Sequence, residues 1–352
     1  VSGAALSAAK SALTIAVRYG LRRRQFGPPD GEEVPILDYR THQRRLMPLL
    51  ARTYALHFAQ AELTEKFDHA MRQQDPPDRE RRELESLAAA MKAASSWHTT
   101  HTVQTCRECC GGAGYMSANR FAALKADTDI FTTFEGDNTV LTMLAARALL
   151  TDYAHDFGGL NPAEMVTFVA GQAVETVVER LFARKIVQVI ADAVPSRSDD
   201  HGNLLDREQQ LELFRWRQGH ITASVANRFK RGLDEGYDPF EVFRAVQDHA
   251  IAAANAWINT TLLEAFVAAI DSCEDDAVKD SLNLLCDLFA LHNVEEDKGF
   301  FQEHGRLASP RTKAVTREVN RLCNEVRQQA GALVDAFGIP DAILAAPIGL
   351  RD

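Results

Sequence analysis

The sequence predicts an all-α protein of two consecutive helical-bundle domains, the first an up-and-down four-helix bundle. Three observations carry that expectation. Apolar residues recur at helical spacing over most of the 352 residues. No segment shows sustained polar/apolar alternation in β-branched residues, and no Asn-Gly or Asp-Gly pair joins two such runs. Gly and Pro clusters interrupt the pattern only at intervals of a helix length. The composition, 46% hydrophobic, 25% charged and 8% aromatic, fits a soluble, Ala- and Leu-rich helical protein.

Residues 1–25 form the first expected helix, with Ala5, Leu6, Ala9, Leu13, Ala16, Val17 and Leu21 on one stripe. Gly27, Pro28 and Pro29 forbid its continuation. Arg22, Arg23 and Arg24 stand at its end, where cations suit the helix dipole. They also suit an anion, because a guanidinium makes two parallel hydrogen bonds to phosphate, and the ring of Phe26 is available for stacking. A second helix is expected over 36–73, with Pro48 able to kink it, and a third over 79–110 after Asp75-Pro76-Pro77-Asp78. A Gly111-Gly112 turn and an irregular passage of roughly 20 residues follow, and a fourth helix runs over 137–155. Such a passage is longer than structural connections usually are, which favours a functional loop.

Phe157 to Pro162 is the expected boundary between domains at 1–157 and 162–352. Beyond it, helices are expected over 162–192, 206–234, 239–271, 277–291 and 309–337, with breaks at 195–203, 236–239 and 295–310. Leu282, Leu285, Leu288, Phe289 and His292 show the amphipathic spacing. This second half offers no catalytic constellation and reads as structural.

Several function classes are excluded or disfavoured. A formal charge of −10 lacks the basic face a general nucleic-acid binder needs. No run of 18 apolar residues offers a membrane span. Six cysteines in a chain of this size suggest a reducing compartment rather than a disulfide framework. His98, His101, Cys106 and Cys109 imitate a zinc set, but all fall in one expected helix, which turns the cysteine pair away from the histidine pair. No metal site is expected.

The stretch with the strongest chemical signal is Cys106–Leu149, centred on Phe134-Glu135-Gly136-Asp137-Asn138-Thr139. Asp137, Asn138 and Thr139 are N-cap residue types, so a helix should begin within a residue or two of Glu135. A carboxylate at such a helix start reads either as an acidic cap or as a positioned base. Gly111 and Gly112 permit positive φ and close approach of backbone to a ligand.

Arg23-Arg24-Gln25-Phe26-Gly27 (with its preceding Arg22), Cys110-Gly111-Gly112-Ala113-Gly114-Tyr115, residues 124–130 (LKADTDI) and residues 133–140 (TFEGDNTV) together resemble the acyl-CoA oxidase family, within the acyl-CoA dehydrogenase superfamily. The motifs cover 1–155 in the family's order, and a helical second half is what distinguishes the oxidases. The resemblance implies an FAD enzyme that oxidises a fatty acyl-CoA to the trans-2-enoyl-CoA, with O2 reduced to H2O2. It implies that Glu135 is the base removing the α-proton and that Arg23, Phe26, Gln43, Gly111, Gly112 and Asp137 contact FAD. In such a family that FAD belongs to a second copy of the chain, so a homodimer is expected.

Relatives carry two further domains before the position of Val1, so the expectation is a C-terminal half that is inactive alone. The Arg-over-Lys bias suggests a GC-rich bacterial gene, and Leu350-Arg351-Asp352 is not a peroxisomal Ser-Lys-Leu address, so a cytoplasmic bacterial protein is expected. Two other readings stay open: a dehydrogenase of the same superfamily that passes electrons to a flavoprotein, and a non-catalytic helical dimerisation module.

Overall fold

A computed structural model describes residues 1–73, 77–158 and 204–351. The helices are α1 (Ser2–Arg22), α2 (Arg40–Arg72), α3 (Asp78–Cys109), α4 (Phe121–Asp129) and α5 (Asn138–Gly158). After the undescribed interval come α6 (Arg207–Asp234), α7 (Pro239–Ala245), α8 (Gln247–Asp271), α9 (Asp276–Glu296), α10 (Lys298–Glu303), α11 (Ser309–Asp335) and α12 (Asp341–Leu344). Among the described residues there is no strand, only an isolated bridge between Arg24 and Pro35. The fold is all-α.

The compact units interleave along the chain. One gathers Val1–Ala145, Ile258–Phe289 and Asn320–Asp352; the other gathers Ala146–Trp257 and Ala290–Val319, in so far as these residues are described. Long helices late in the chain return their ends to the first unit, as where Tyr54 of α2 donates its hydroxyl to the Leu333 carbonyl of α11 at 2.7 Å. The expected boundary residues 159–162 and the expected helix over 162–192 lie outside the described residues.

In the first unit α1 packs against α2 and α3, and α3 also against α4. The Thr99 hydroxyl of α3 donates to the Ala5 carbonyl of α1 at 2.7 Å, tying the two helices where both are buried. The predicted stripe of α1 is interior except for the half-buried Leu21, yet Ala12, Ile15 and Gly20 off that stripe are buried as well. The reason is that α1 is covered from another side by the C-terminal segment. A Cβ on Gly349 would stand 3.0 Å from the Ile15 Cα, so the segment lies against α1 backbone to backbone.

Polar contacts fasten it. The buried Arg18 guanidinium donates to Asp335 at 2.6 Å, to Asp341 at 2.9 Å and to the Gly349 carbonyl at 2.8 Å. Arg120 donates to the Ile343 and Leu344 carbonyls at 2.7 and 3.0 Å. The tail thus braces both α1 and the loop that precedes α4.

The second unit is organised by local signals. Asp206 caps α6 by accepting from Gln209 N–H at 2.9 Å, and Asp238 caps α7 with Pro239 in its first turn. Arg217 pairs with Asp297 at 2.9 Å, and the Arg306 guanidinium lies 4.9 Å from the Trp216 ring centroid.

Three details differ from expectation. The passage after Gly112 is mostly structured, holding α4 and short 3-10 turns at Gly111–Tyr115, Ser117–Asn119 and Ile130–Thr132. Nine residues around a single buried Phe121 are too few to reveal a period. The expected helix 239–271 divides at Val246, and α10 fills part of the expected break at 295–310. Helix α2 continues through Pro48. Among the described residues one helix, α8, is long and apolar enough to cross a membrane by length and composition. Its Ala253, Ala254, Leu262, Leu263 and Phe266 are buried within this chain, as in a core helix.

Replacing the buried guanidinium tests the tail clasp. Arg18→Met should lower unfolding stability by about 2 kcal/mol in urea titrations, since it removes the buried donor shared by two carboxylates and a carbonyl. Burial opposes the charged form of Asp335, but hydrogen bonds and charge from Arg18 and Arg351 outweigh it and hold the carboxyl below its usual range. That contribution is present above an unfolded-state pKa of about 3.9 and is lost as pH falls below it. Acid unfolding of Arg18→Met should therefore be less steep below about pH 4.

Candidate active site

The Glu135 turn is built from backbone geometry that few residues adopt. Glu135 has φ +53° and Gly136 φ +102°, two successive residues in the left-handed region. Such a conformation is costly for a residue with a side chain, and where it persists it is held from outside. Asp137 follows as the N-cap of α5, its carboxylate accepting from Thr139 N–H at 2.9 Å and its carbonyl from Leu141 N–H at 2.9 Å. The helix start predicted from the sequence lies here, with Asn138 as its first residue. Glu135 and Asp137 are both exposed. Among the described residues no hydrogen bond is made to the Glu135 carboxylate.

A separate cavity of about 470 Å³ collects Arg23 and Phe26 from the end of α1 with Cys109 to Gly112 from the end of α3. Tyr19, Tyr39, His42 and Arg45 complete much of its wall. Arg24 and Pro35 bridge across a turn in which Phe26 adopts φ +60°, its carbonyl accepting from Val34 N–H at 2.8 Å. That turn leaves the Phe26 ring 69% exposed at the cavity. Gly27 is required for it, because a Cβ there would lie 2.3 Å from the Glu32 carbonyl oxygen.

Gly111 takes φ +55°, and a Cβ on either Gly111 or Gly112 would project into open space on the cavity wall. A ligand can thus approach the backbone there. The glycine needed for the chain's own packing is Gly114, where a Cβ would stand 2.0 Å from the Arg107 carbonyl oxygen.

The cavity's charges are unequal in freedom. Arg45 pairs with Glu108, whereas among the described residues Arg23 has no ion pair or hydrogen bond from its guanidinium. Burial pulls the His42 imidazole down to about 4, and the nearby Arg45 charge acts in the same direction. Its Nε2 is buried without a partner among the described residues. Burial raises the Cys109 thiol to about 11, and it raises Cys110 further, so neither offers a thiolate near neutral pH.

The structure therefore brings Arg23, Phe26, Gly111 and Gly112 together. It does not bring Gln43 to the cavity; that side chain is buried and donates to the Asp38 carbonyl at 3.2 Å, while its neighbours Thr41, His42 and Arg45 line the wall. Glu135 and Asp137 stand apart from the cavity lining. Sequence reasoning missed Tyr19, Tyr39, His42 and Arg45, which carry no motif. It also missed Lys92, whose ammonium reaches the Glu135 turn. The zinc imitation dissolves on α3: His98 is fully interior and bonded to the Thr53 hydroxyl at 2.8 Å. Among the described residues no group of three His, Cys, Asp or Glu side chains is placed to hold a metal ion.

His42 gives this geometry a direct check. Its ring should titrate near 4 in a histidine-labelled NMR experiment, and Arg45→Ala should raise that value by removing a neighbouring positive charge. Because the unfolded imidazole titrates near 6.5, the neutral buried ring contributes stability above about pH 6.5 that is lost as pH falls towards about 4.

Comparison with known proteins bears on both halves. Residues 1–150 match the family model "Acyl-CoA oxidase, C-alpha1 domain", and residues 206–352 match the model "Acyl-CoA oxidase". The peroxisomal acyl-coenzyme A oxidase 2 of Arabidopsis thaliana is 35% identical over 99% of this chain and 48% of its own length. Among solved structures, acyl-CoA oxidase 1 of Yarrowia lipolytica superposes with a TM-score of 0.81 at 29% identity, over 98% of this chain and 50% of that one. Acyl-CoA oxidase-1 of Caenorhabditis elegans, solved with FAD and ATP, has a TM-score of 0.83 at 22% identity, over 99% and 50%. The chain spans about half the length of the relatives it matches.

These relatives overturn the expectation of a bacterial cytoplasmic protein. They are eukaryotic, and the Arabidopsis oxidases 2 and 3 and human oxidase 3 are named as peroxisomal. An Arg-rich composition is a property of a gene's base content and carries no compartment address, which is why it misled. With both halves matched by models of one family, the chain belongs to the acyl-CoA oxidase family.

Proposed function

We propose that the intact protein is an FAD-dependent acyl-CoA oxidase, which converts a fatty acyl-CoA to the trans-2-enoyl-CoA in fatty acid β-oxidation and reduces O2 to H2O2. The observation that carries this reading is Glu135, a carboxylate without hydrogen bonds among the described residues, presented on a left-handed turn just before α5. Removal of a proton beside a thioester carbonyl needs a base held in place and left free to accept. Glu135 takes the α-proton onto a carboxylate oxygen. The α-carbon's electron pair then forms the new double bond as the β-hydrogen leaves with its own pair. The flavin, when bound, supplies the acceptor for that hydride and the route to O2.

The cavity fits the anionic and aromatic parts of such a cofactor. Arg23 offers a cation to phosphate, Phe26 a ring for stacking, and Gly111 and Gly112 a wall that a Cβ would fill. Its volume lies within the usual range for a ligand pocket, roughly 300–1,000 Å³. Asp137 and Gln43 belong to the same proposal, Asp137 beside the base and Gln43 by holding the turn from which Thr41 and His42 reach the cavity.

The FAD is shared between two copies in a homodimer. In support, the cavity and the Glu135 turn are both open, and Tyr115, Met116, Ile130, Phe134, Val140 and Leu144 are exposed around this part of the chain. Exposed apolar surface of that kind is usually covered by more protein.

The intact protein given a long-chain acyl-CoA in air should bleach its flavin and release peroxide. Glu135→Gln should slow the bleaching by roughly 10³-fold, in the range found for a lost general base. Bleaching without peroxide would instead indicate a dehydrogenase that needs a flavoprotein acceptor. Flavin that never bleaches would leave a helical dimerisation module. Arg23→Ala should weaken FAD retention about tenfold, as read by flavin fluorescence in a dilution series.

A further inference from the structure

Lys92 lies in the middle of α3, flanked in sequence by the buried Met91 and Ala93, and is only 7% exposed. A lysine there resembles a surface residue misplaced into a core. Its ammonium donates to the Gly136 carbonyl at 2.6 Å and to Asn138 Oδ1 at 2.9 Å. Since an ammonium only donates, the Asn138 amide is oriented with its oxygen towards Lys92. Its Nδ2 then donates to Ser96 Oγ at 2.9 Å, and Ser96 donates in turn to the Lys92 carbonyl at 2.8 Å. The network closes on one turn of α3.

The residue it grips is the second half of the left-handed pair. Holding the Gly136 carbonyl fixes the peptide that follows Glu135 and Gly136, while the Asp137 cap fixes the next step into α5. Just before these two anchors, among the described residues, the Glu135 side chain is left without a hydrogen bond. Substitution at Gly136 is also restricted, because a Cβ there would meet Leu141 at 3.0 Å and φ is +102°.

A neutral donor could make one of these bonds, but the charge has its own purpose. Burial lowers the Lys92 pKa, and the negative charges of Asp137 and Glu135 act in the opposite direction. One cation thus offsets two carboxylates that stand two residues apart on a turn.

We propose that Lys92 is the positioning residue for Glu135: through Gly136 and Asn138 it holds the strained turn in the geometry from which the base reaches the α-proton. This rests on Glu135 being the base. It assigns a role in the reaction to a residue outside the motifs by which the family is recognised here.

The test uses the intact, flavin-loaded protein mixed rapidly with acyl-CoA in the absence of O2. Lys92→Met should slow flavin bleaching roughly 10- to 100-fold, the scale of an ångström-sized misplacement. The acyl-CoA concentration for half-maximal rate should stay within about threefold, and FAD retention should fall far less than in Arg23→Ala, since Asp137 is the one proposed FAD contact on the turn while Arg23, Phe26, Gly111 and Gly112 lie off it. Hydrogen exchange, read by mass spectrometry, should rise over 133–141 and not along α3. Asn138→Ala, which leaves the Lys92 bond to the Gly136 carbonyl in place, should show the same pattern at about tenfold and serves if Lys92→Met does not accumulate folded.

A folded variant of either kind that bleaches within about twofold of wild type, while Glu135→Gln does not bleach, overturns the positioning role and leaves the base intact. If Glu135→Gln itself bleaches at the wild-type rate, the base assignment falls and the positioning role with it.

Discussion

Small side chains let α1 and α3 lie close together, with Ala5, Ala9, Ala12 and Ala16 buried in one and Ala90, Ala93 and Ala94 in the other. Thr99, also buried, spends its hydroxyl on the Ala5 carbonyl and so fixes the register of that contact. Both parts of the candidate site hang from it. The ends of the two helices supply Arg23 and Phe26 on one side and Gly111 and Gly112 on the other, so the cavity exists only while they stay aligned. One face of α3, through Lys92 and Ser96, holds the turn that carries Glu135. A shift of α3 along α1 would change cavity and turn together, and close-packed interiors resist such shifts.

Buried polar groups in this protein are arranged around what they hold in place. Arg18 gives its hydrogens to two carboxylates and a carbonyl at the C-terminal segment, and Lys92 gives its own to a carbonyl and an amide at the Glu135 turn. Isolated burial of either charge would cost far more than packing returns. Satisfied, each converts that cost into a fixed geometry for backbone that hydrophobic contact alone would leave loose. Glu135 is treated in the opposite way. Its backbone is constrained, and among the described residues its carboxylate makes no hydrogen bond, as the proposed role of base would require.

The legible parts of the sequence are those with length or with a cap. Helices of twenty or more residues announce themselves by period, and Asp137, Asp206 and Asp238 mark helix starts that the structure contains. Helix α4 is hidden because its nine residues bury only Phe121 and Thr128. Lys92 is hidden for a different reason: a lysine in a helix reads as a solvated face until its neighbours in space are known. Gln43 shows the converse, a polar residue named by the resemblance whose side chain turns inward to Asp38 while unremarkable neighbours face the cavity.

Sequence by itself determined the all-α class, most helix boundaries and the motifs that identify the family, because periodicity, caps and breakers act over a few residues. Tertiary structure decided what depends on distant segments meeting. It set which faces of α1 are covered, since the covering tail is more than 300 residues away in the chain, as the Arg18 contact with Gly349 shows. It set the cavity, whose walls come from the ends of separate helices, and it recruited Lys92 to the Glu135 turn across 44 residues. No local preference encodes such meetings; they follow from the burial of α1 and α3 against each other.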